Sequence, residues 1–189
     1  MKISVICPTF NSSKFIDKTL NSILSQNFNK FEVLFSDDGS EDNTVNILED
    51  FKIKFKAKGI ECKIIKNKHM GPGAARNAAI KISQYDWLAF IDSDDIWNKN
   101  KLKNVNNAFE KSPDLNCIIH RQFFKNKKGK IKSYDYDKYY DPYKPVFNQL
   151  FKSNFIATSS VVIKKDLILK HQGFDETLQN AQDYDLWLK

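Results

Sequence analysis

The sequence predicts an α/β domain in which helices cover both faces of a mostly parallel central sheet. Two observations lead there. Short apolar runs alternate with helical patterns through the first half of the chain, in the order β-α-β-α-β-α-β. Polar residues also follow the first, second and fourth of those runs directly: Thr9 and Asn11, Asp37 and Asp38, then Asp92 to Asp95. In an open α/β sheet such positions share one edge, outside the carboxyl ends of the strands, where ligands bind. With 189 residues, 41% of them hydrophobic, the chain can bury one real core.

Ile3–Cys7 reads as the first strand. It is too short for a signal peptide and has no small-residue cleavage site, so a cytoplasmic protein is expected. Ser12 or Ser13 can cap the next helix, which carries Phe15, Ile16, Leu20, Ile23 and Leu24 at helical spacing. Phe31–Phe35 is the second strand and ends in Ser36-Asp37-Asp38-Gly39-Ser40. Asp42 or Asn43 starts a helix with Val45, Leu48 and Phe51. Cys62–Ile65 is the third strand. Gly71-Pro72-Gly73 breaks the chain before a helix with Ala74, Ala75, Ala78, Ala79 and Ile82. Trp87–Ile91 is nearly all apolar, as a strand buried on both faces should be.

The second half is less regular. Lys101–Phe109 reads as a basic helix, and Asn116–Phe124 as a strand with a turn following at Lys128-Gly129. Ser133–Lys144 is rich in Tyr and Asp and suits a flexible, ligand-covering loop. Thr158–Ile163 is a further strand and Gly173-Phe174-Asp175-Glu176 a turn. Asp183–Lys189 opens a helix with no finish, so a truncated chain is expected. No apolar run approaches the roughly 20 residues that cross a bilayer.

Lys and Arg number 30 against 23 Asp and Glu, a net charge of +7. Most lysines are scattered as on a solvated surface, apart from the stretch 125–132. The excess suits phosphorylated small molecules or an anionic membrane face. No nucleic-acid-binding motif accompanies it, so no nucleic acid is expected. Cys7, Cys62 and Cys117 cannot all pair with one another and read as buried, reduced thiols. No Cys/His spacing points to structural zinc.

Asp92-Ser93-Asp94-Asp95 sets carboxylates so close that they repel unless a cation sits among them. Hard oxygen ligands suit Mg²⁺ or Mn²⁺, which commonly bridge to phosphates. The plainer reading is a solvated loop with one Asp capping the next helix. Asp37-Asp38-Gly39-Ser40 can accept hydrogen bonds from a base or ribose, or can simply turn the chain. The helix start after Gly71 offers free N–H groups to an anion, and Arg76 can pair with phosphate. Its alanines also suit close packing on the sheet. His69 reads as a loop residue. Asp183 can serve as a general base, or can favour a helix N-terminus through the dipole.

In this order, Ile6–Asn11, Ser36–Ser40, Gly71–Asn77, Phe90–Asp95, Gly173–Glu176 and Asp183–Trp187 resemble the motifs of family 2 glycosyltransferases with the GT-A fold. No single motif is specific, but together they span nearly the whole chain. The resemblance implies an inverting transferase that moves sugar from a nucleotide-sugar, with a UDP-sugar favoured, to a glycan or glycolipid acceptor. It implies that Pro8, Thr9, Asn11, Arg76 and Ser93 line the nucleotide-sugar pocket. Asp38 would read the base. Asp92 would contact the ribose or the metal, and Asp94 would be the main ligand of Mn²⁺ or Mg²⁺, with Asp95 a weaker candidate. Asp183 would be the catalytic base. Residues 1–189 would form one domain, with 1–97 the nucleotide-binding half and 98–189 the acceptor side. Tyr134, Tyr136, Tyr139, Tyr140 and Tyr143 can stack on sugar rings or simply pack. The family often has Glu before the base, where this chain has Gln182. Destination in a cell-surface glycan and peripheral contact with the inner membrane face follow from the same resemblance.

Other classes fit less well. A haloacid-dehalogenase-type phosphatase carries its Asp-x-Asp after the first strand, whereas here it follows the fourth. A nicotinamide-dependent dehydrogenase needs Gly-x-Gly-x-x-Gly after the first strand, and Pro8-Thr9-Phe10-Asn11 has no glycine. A non-catalytic nucleotide-sugar-binding module would share the motifs and lack turnover.

Overall fold

The computed structural model describes residues 1–126, 129–134 and 136–189. The first half follows the predicted order: β1 (Ile3–Thr9), α1 (Ile16–Leu24), β2 (Phe31–Asp37), α2 (Thr44–Ala57), β3 (Glu61–Lys66), α3 (Pro72–Ile82) and β4 (Trp87–Phe90). Then come α4 (Lys101–Lys111), β5 (Cys117–Ile119), β6 (Phe123–Lys125), β7 (Ile131–Ser133), α5 (Val146–Lys152), β8 (Val161–Lys164), α6 (Lys165–Lys170) and α7 (Gln182–Leu188). The central sheet runs β3-β2-β1-β4-β8-β5. Its first four strands are parallel, and β8 is antiparallel to both β4 and β5.

Side chains alternate between two buried faces, as the pleat requires. Ile3, Val5, Cys7, Phe31, Val33, Phe35 and Ala89 face a core with α1, α2 and α4, filled by Leu20, Phe51, Phe55 and Leu102. Ile6, Leu34, Leu88 and Phe90 face a second core with α3, α5, α6 and α7, filled by Ala79, Leu150, Ile168 and Leu186. Alanines on α3 let that helix lie close to β1 and β2, and Ala75 and Ala79 are fully buried. Among the described residues no helix is long and apolar enough to cross a membrane.

Several expectations change. Neither Ser12 nor Ser13 caps α1 with its side chain. The Ser12 carbonyl accepts from the Phe15 and Ile16 N–H groups, while its hydroxyl is held at 2.9 Å by Ser93. Asn43 stands at the cap of α2, but its Oδ1 accepts from Asn46 Nδ2 rather than from a helix N–H, and the Asp42 carboxylate takes the Thr44 N–H instead. Ile82, expected on the packed face of α3, is exposed. The strand expected over Asn116–Phe124 is two: β5 joins the central sheet and β6 pairs with β7 in a separate hairpin. Lys128 of the expected turn lies outside the described residues, whereas Gly129 has the positive φ of a turn glycine. Thr158–Ser160 is a 3-10 turn, and only Val161–Lys164 is strand. Within the Tyr-rich segment, Asp135 lies outside the described residues. Tyr134 packs against Tyr136, Tyr139 and Phe124, and Tyr140 against Phe155, while Tyr143 is 95% exposed. All three cysteines are free, and burial raises the thiols of Cys62 and Cys117 to about 12 and about 11.

One buried charge sits opposite the ligand edge. Glu32 is fully buried on β2 and accepts from Ser4 Oγ at 2.7 Å, the Gln84 N–H at 2.6 Å and Lys63 Nζ at 3.3 Å. It ties together the start of β1, the exit of α3 and the outer strand. Removing it strands the Ser4 hydroxyl and the Gln84 N–H, while Lys63 keeps Glu61 at 3.2 Å. Glu32→Ala is expected to lower unfolding free energy by about 2–4 kcal/mol, measured by urea denaturation. A variant as stable as the parent would show that water replaces the carboxylate there.

Candidate functional site

The strand ends make the site. Thr9 and Asp37 pair in register at the ends of β1 and β2, and Ile6 pairs with Phe90 at the end of β4. The residues that follow these strands therefore emerge side by side. A cleft of about 350 Å³ opens there, lined by Pro8, Thr9, Phe10, Asp38, His69, Pro72, Arg76, Asp92, Ser93 and Asp94. Pro8, Thr9, Asp38, Arg76, Asp92, Ser93 and Asp94 were singled out from the sequence. Asn11 and Asp183 were singled out too and do not line this cleft.

The left wall is a set of satisfied carboxylates. Asp37 accepts from Thr9 Oγ1 at 2.8 Å and from the Ser40 N–H and hydroxyl at 2.8 and 2.6 Å, which fixes the turn after β2. Asp38 is buried and holds the loop ahead of α3. It accepts from the Met70 and Gly71 N–H groups, both at 2.9 Å, and lies 2.8 Å from His69 Nδ1. Phe10 stacks on the His69 ring at 4.3 Å. Asn11 has a positive φ of 46°, and its Oδ1 accepts from the Glu41 N–H at 2.9 Å. It thus braces the loop beyond β2 rather than the cleft floor. Gly73, where α3 begins, packs against Phe174, Asp175 and Gln182, so this helix start is covered by the late part of the chain.

The right wall is acidic. Arg76, almost fully buried, reaches from α3 to Asp92 at 2.6 Å. Its Nε has no partner among the described residues. Asp94 is exposed to the cleft and has no hydrogen bond or ion pair among the described residues. Asp95 turns inward, out of the cleft lining, and burial raises its carboxyl above the usual range against a Ser159 hydrogen bond, with Asp92 and Asp94 adding to the rise. Among the described residues no group of three His, Cys, Asp or Glu side chains forms a metal cage.

The turn over residues 158–160 joins this wall to α7. Ser159 Oγ accepts from the Asp92 N–H at 2.9 Å, and the Ser159 carbonyl accepts from Trp97 Nε1 at 3.1 Å and Lys101 Nζ at 3.0 Å. One residue earlier, Thr158 Oγ1 donates to Asp183 Oδ2 at 2.7 Å. Asp183 lies in the first turn of α7 and also accepts the Tyr184 N–H. Asn77 clamps the turn that precedes α7. Its Oδ1 accepts from the Phe174 N–H at 2.9 Å, and its Nδ2 donates to the Phe174 carbonyl and to Glu176, both at 2.8 Å. Sequence reasoning missed Phe10, Asn77, Thr158 and Ser159 as individual residues. Only Thr and Ser directly before an apolar run hinted at the last two.

Residues 4–170 match the family described as Glycosyl transferase family 2. The chain is 42% identical over 107 residues to the poly(ribitol-phosphate) beta-N-acetylglucosaminyltransferase TarS of Staphylococcus aureus, covering 56% of this chain and 18% of that protein. It is 30% identical over 190 residues to the UDP-Glc:alpha-D-GlcNAc-diphosphoundecaprenol beta-1,3-glucosyltransferase WfgD of Escherichia coli, covering 98% of this chain and 68% of that one. The crystal structure of S. aureus TarS 1-349 in complex with UDP superposes with a TM-score of 0.79 at 27% identity, over 98% of this chain and 54% of that chain. The same fragment in complex with UDP-GlcNAc gives 0.79 at 27% identity, covering 98% of this chain and 52% of that chain. This chain thus spans about half the length of those solved relatives.

The Asn77 clamp makes a measurable demand on Gly173, whose φ is 76° and where an added Cβ would stand 2.5 Å from Asn77 Oδ1. Gly59 has a similar φ of 70° and open space around it. Gly59→Ala is expected to lower stability by about 1–2 kcal/mol through backbone strain alone. Gly173→Ala should add about 1–3 kcal/mol for the broken clamp. Equal losses for both variants in urea denaturation would mean that the clamp carries no energy.

Proposed function

The chain belongs to glycosyl transferase family 2, and on that premise we propose that its cleft binds a nucleoside-diphosphate sugar, a UDP-sugar by preference, and passes the sugar to an acceptor hydroxyl with inversion. One observation carries the reading. Pro8, Thr9, Asp38, Arg76, Asp92, Ser93 and Asp94 converge on one cleft at the carboxyl edge of the sheet. Relatives of the same fold have been solved with UDP and with UDP-GlcNAc.

Each wall has a role in this reading. Pro8, Thr9 and Asp38 face the nucleoside. Asp38 spends most of its acceptor capacity on the loop over 69–71, so its second task is to hold His69 and Phe10 as a flat stacked surface for a base. Asn11 supports that wall through the Glu41 backbone. The guanidinium of Arg76, with its Nε unpaired, faces the phosphates or the ribose beside Asp92 and Ser93. The acidic wall fits a hard divalent cation, since Asp94 has no partner among the described residues and Asp92 keeps one oxygen clear of Arg76. Mg²⁺ and Mn²⁺ are commonly held by one or two carboxylates plus substrate phosphates, so Asp94 and Asp92 suffice without a full protein cage. When bound, such an ion supplies charge neutralisation at the diphosphate.

Asp183 is the proposed base. Thr158 and the Tyr184 N–H orient the carboxylate and leave it lone pairs to spare. It takes the proton of the acceptor hydroxyl as that oxygen bonds to the anomeric carbon. The bond from that carbon to the diphosphate breaks on the opposite side, and the nucleoside diphosphate leaves with the electron pair. Residues 1–97 serve as the donor-binding half and 98–189 as the acceptor side. An acceptor in a cell-surface glycan or glycolipid, used at the cytoplasmic face with peripheral membrane contact, fits the net charge of +7 and the acceptors printed in the relatives' names.

Two measurements test this. In calorimetric titrations of UDP with Mn²⁺, the parent is expected to bind and to lose binding when EDTA is added, while Asp94→Ala should not bind. Equal binding by Asp94→Ala would remove it as a metal ligand. Asp183→Asn should bind UDP as the parent does and lose transfer by about 10²–10⁴-fold. Transfer at the parent rate would take the base role away from Asp183.

A further inference from the structure

A second pocket, of about 360 Å³, lies on the other side of the acidic turn. It is bounded by residues 95–98, by α4 and by the segment that follows β5, and its Ser159 accepts from the N–H of Asp92 in the wall of the first cleft. Its floor is apolar, formed by Val105, Ala108 and Ile118. Arg121 and Asp95 also line it.

Lys101 projects from α4 into this pocket and is only 7% exposed. Its ammonium lies 3.4 Å over the Trp97 ring and donates one hydrogen bond, to the Ser159 carbonyl at 3.0 Å. An ammonium has more than one N–H to place. Among the described residues no other acceptor takes them, and no carboxylate comes within ion-pair distance. Burial pushes Lys101 well below the ordinary lysine range, with Asp95 pulling it partly back. A cation buried this way is short of a counter-charge.

His120 adds a second unmet need. Its Nδ1 is 2.9 Å from the Arg121 carbonyl. Nε2 is sealed from solvent and has no hydrogen bond of good geometry. Burial, and then the Lys101 charge, push the imidazole down to about 4, against the carbonyls of Arg121 and Ser159. The ring is neutral at physiological pH and supplies no counter-charge to Lys101.

We propose that this pocket is a binding site for an anionic group, a phosphate or carboxylate that pairs with Lys101. The volume suits a group the size of a polyol phosphate or an acidic sugar. Resting on the reading of the adjoining cleft as the donor site, the pocket makes the acceptor an anionic glycan or polyol. Thr158 and Ser159 then stand between its charged group and Asp183.

The test uses the whole chain without metal or nucleotide. The sequence has three tryptophans, so the indole N–H signals are few, and Trp97→Phe identifies the one beneath Lys101. The probes are glycerol 3-phosphate, glycerate and glycerol. Either anion is expected to shift the Trp97 signal saturably, with glycerol leaving it in place. The anion that binds more tightly identifies phosphate or carboxylate as the recognised group. Lys101→Met, which replaces the cation with a similar apolar volume, should weaken that binding at least tenfold and leave the UDP titration with Mn²⁺ unchanged. No saturable shift with either anion, or the same shift in Lys101→Met, would overturn the proposal. Failure of UDP to bind while the anions still do would overturn the donor-site reading and leave the pocket standing.

Discussion

The parallel register of β1 with β2 and β4 is the constraint from which the rest follows. Because Thr9 pairs with Asp37 and Ile6 with Phe90, chain segments distant in sequence end at one edge. A slip of one residue would turn every side chain of a strand to the opposite face, exchanging the Val5 and Ile6 cores. Two buried faces make that exchange expensive. The same register keeps Asp38 beside the 69–71 loop and Asp92 beside Arg76. Packing thus sets the geometry of the polar edge, and the polar edge contributes little to the packing.

Polar groups at this edge divide by what they already hold. Asp37, Asp38 and Asp42 are engaged by backbone and hydroxyl donors, and Asp42 is held down to about 2 after its small burial by bonds from Ser13 and Thr44. They are parts of loops. Asp94, the Nε of Arg76, the ammonium of Lys101 and the Nε2 of His120 are underused. Among the described residues these four groups stand around the 92–95 turn and on both sides of it, while Trp187 Nε1 on α7 is a further buried group without a partner. A domain that only needed to fold would have little reason to leave them so.

Much of this was legible in the sequence. Apolar runs gave the parallel strands to within a residue or two, because β1 and β2 are buried throughout and β4 nearly so, while β3, half-buried at the border, still shows Ile64 and Ile65 side by side. The acidic turn was legible because Asp92 and Asp94 follow such a run directly. The second half was harder to read. β5, β6 and β7 are three residues each, too short for a period to show. The turn at 158–160 looked like the start of β8 because Thr and Ser suit strands as well as turns. Ser159 meets Asp92, Trp97 and Lys101 only through the fold, across about sixty residues of chain. Ser12 looked like a helix cap for the same reason: nothing local said that its hydroxyl would be drawn to Ser93.

The two borders of the sheet are protected differently. The β3 border carries Glu61, Lys63 and Lys66, and charged side chains there discourage a neighbouring strand from adding on. The β5 border is Cys117-Ile118-Ile119, without a charge, and its brevity is the main safeguard. Lengthening that strand, or loosening the chain around it, would offer open backbone groups on an oily margin. Aggregation of this protein should therefore begin at β5, and a lysine near Ile119 would be the natural way to make it more soluble.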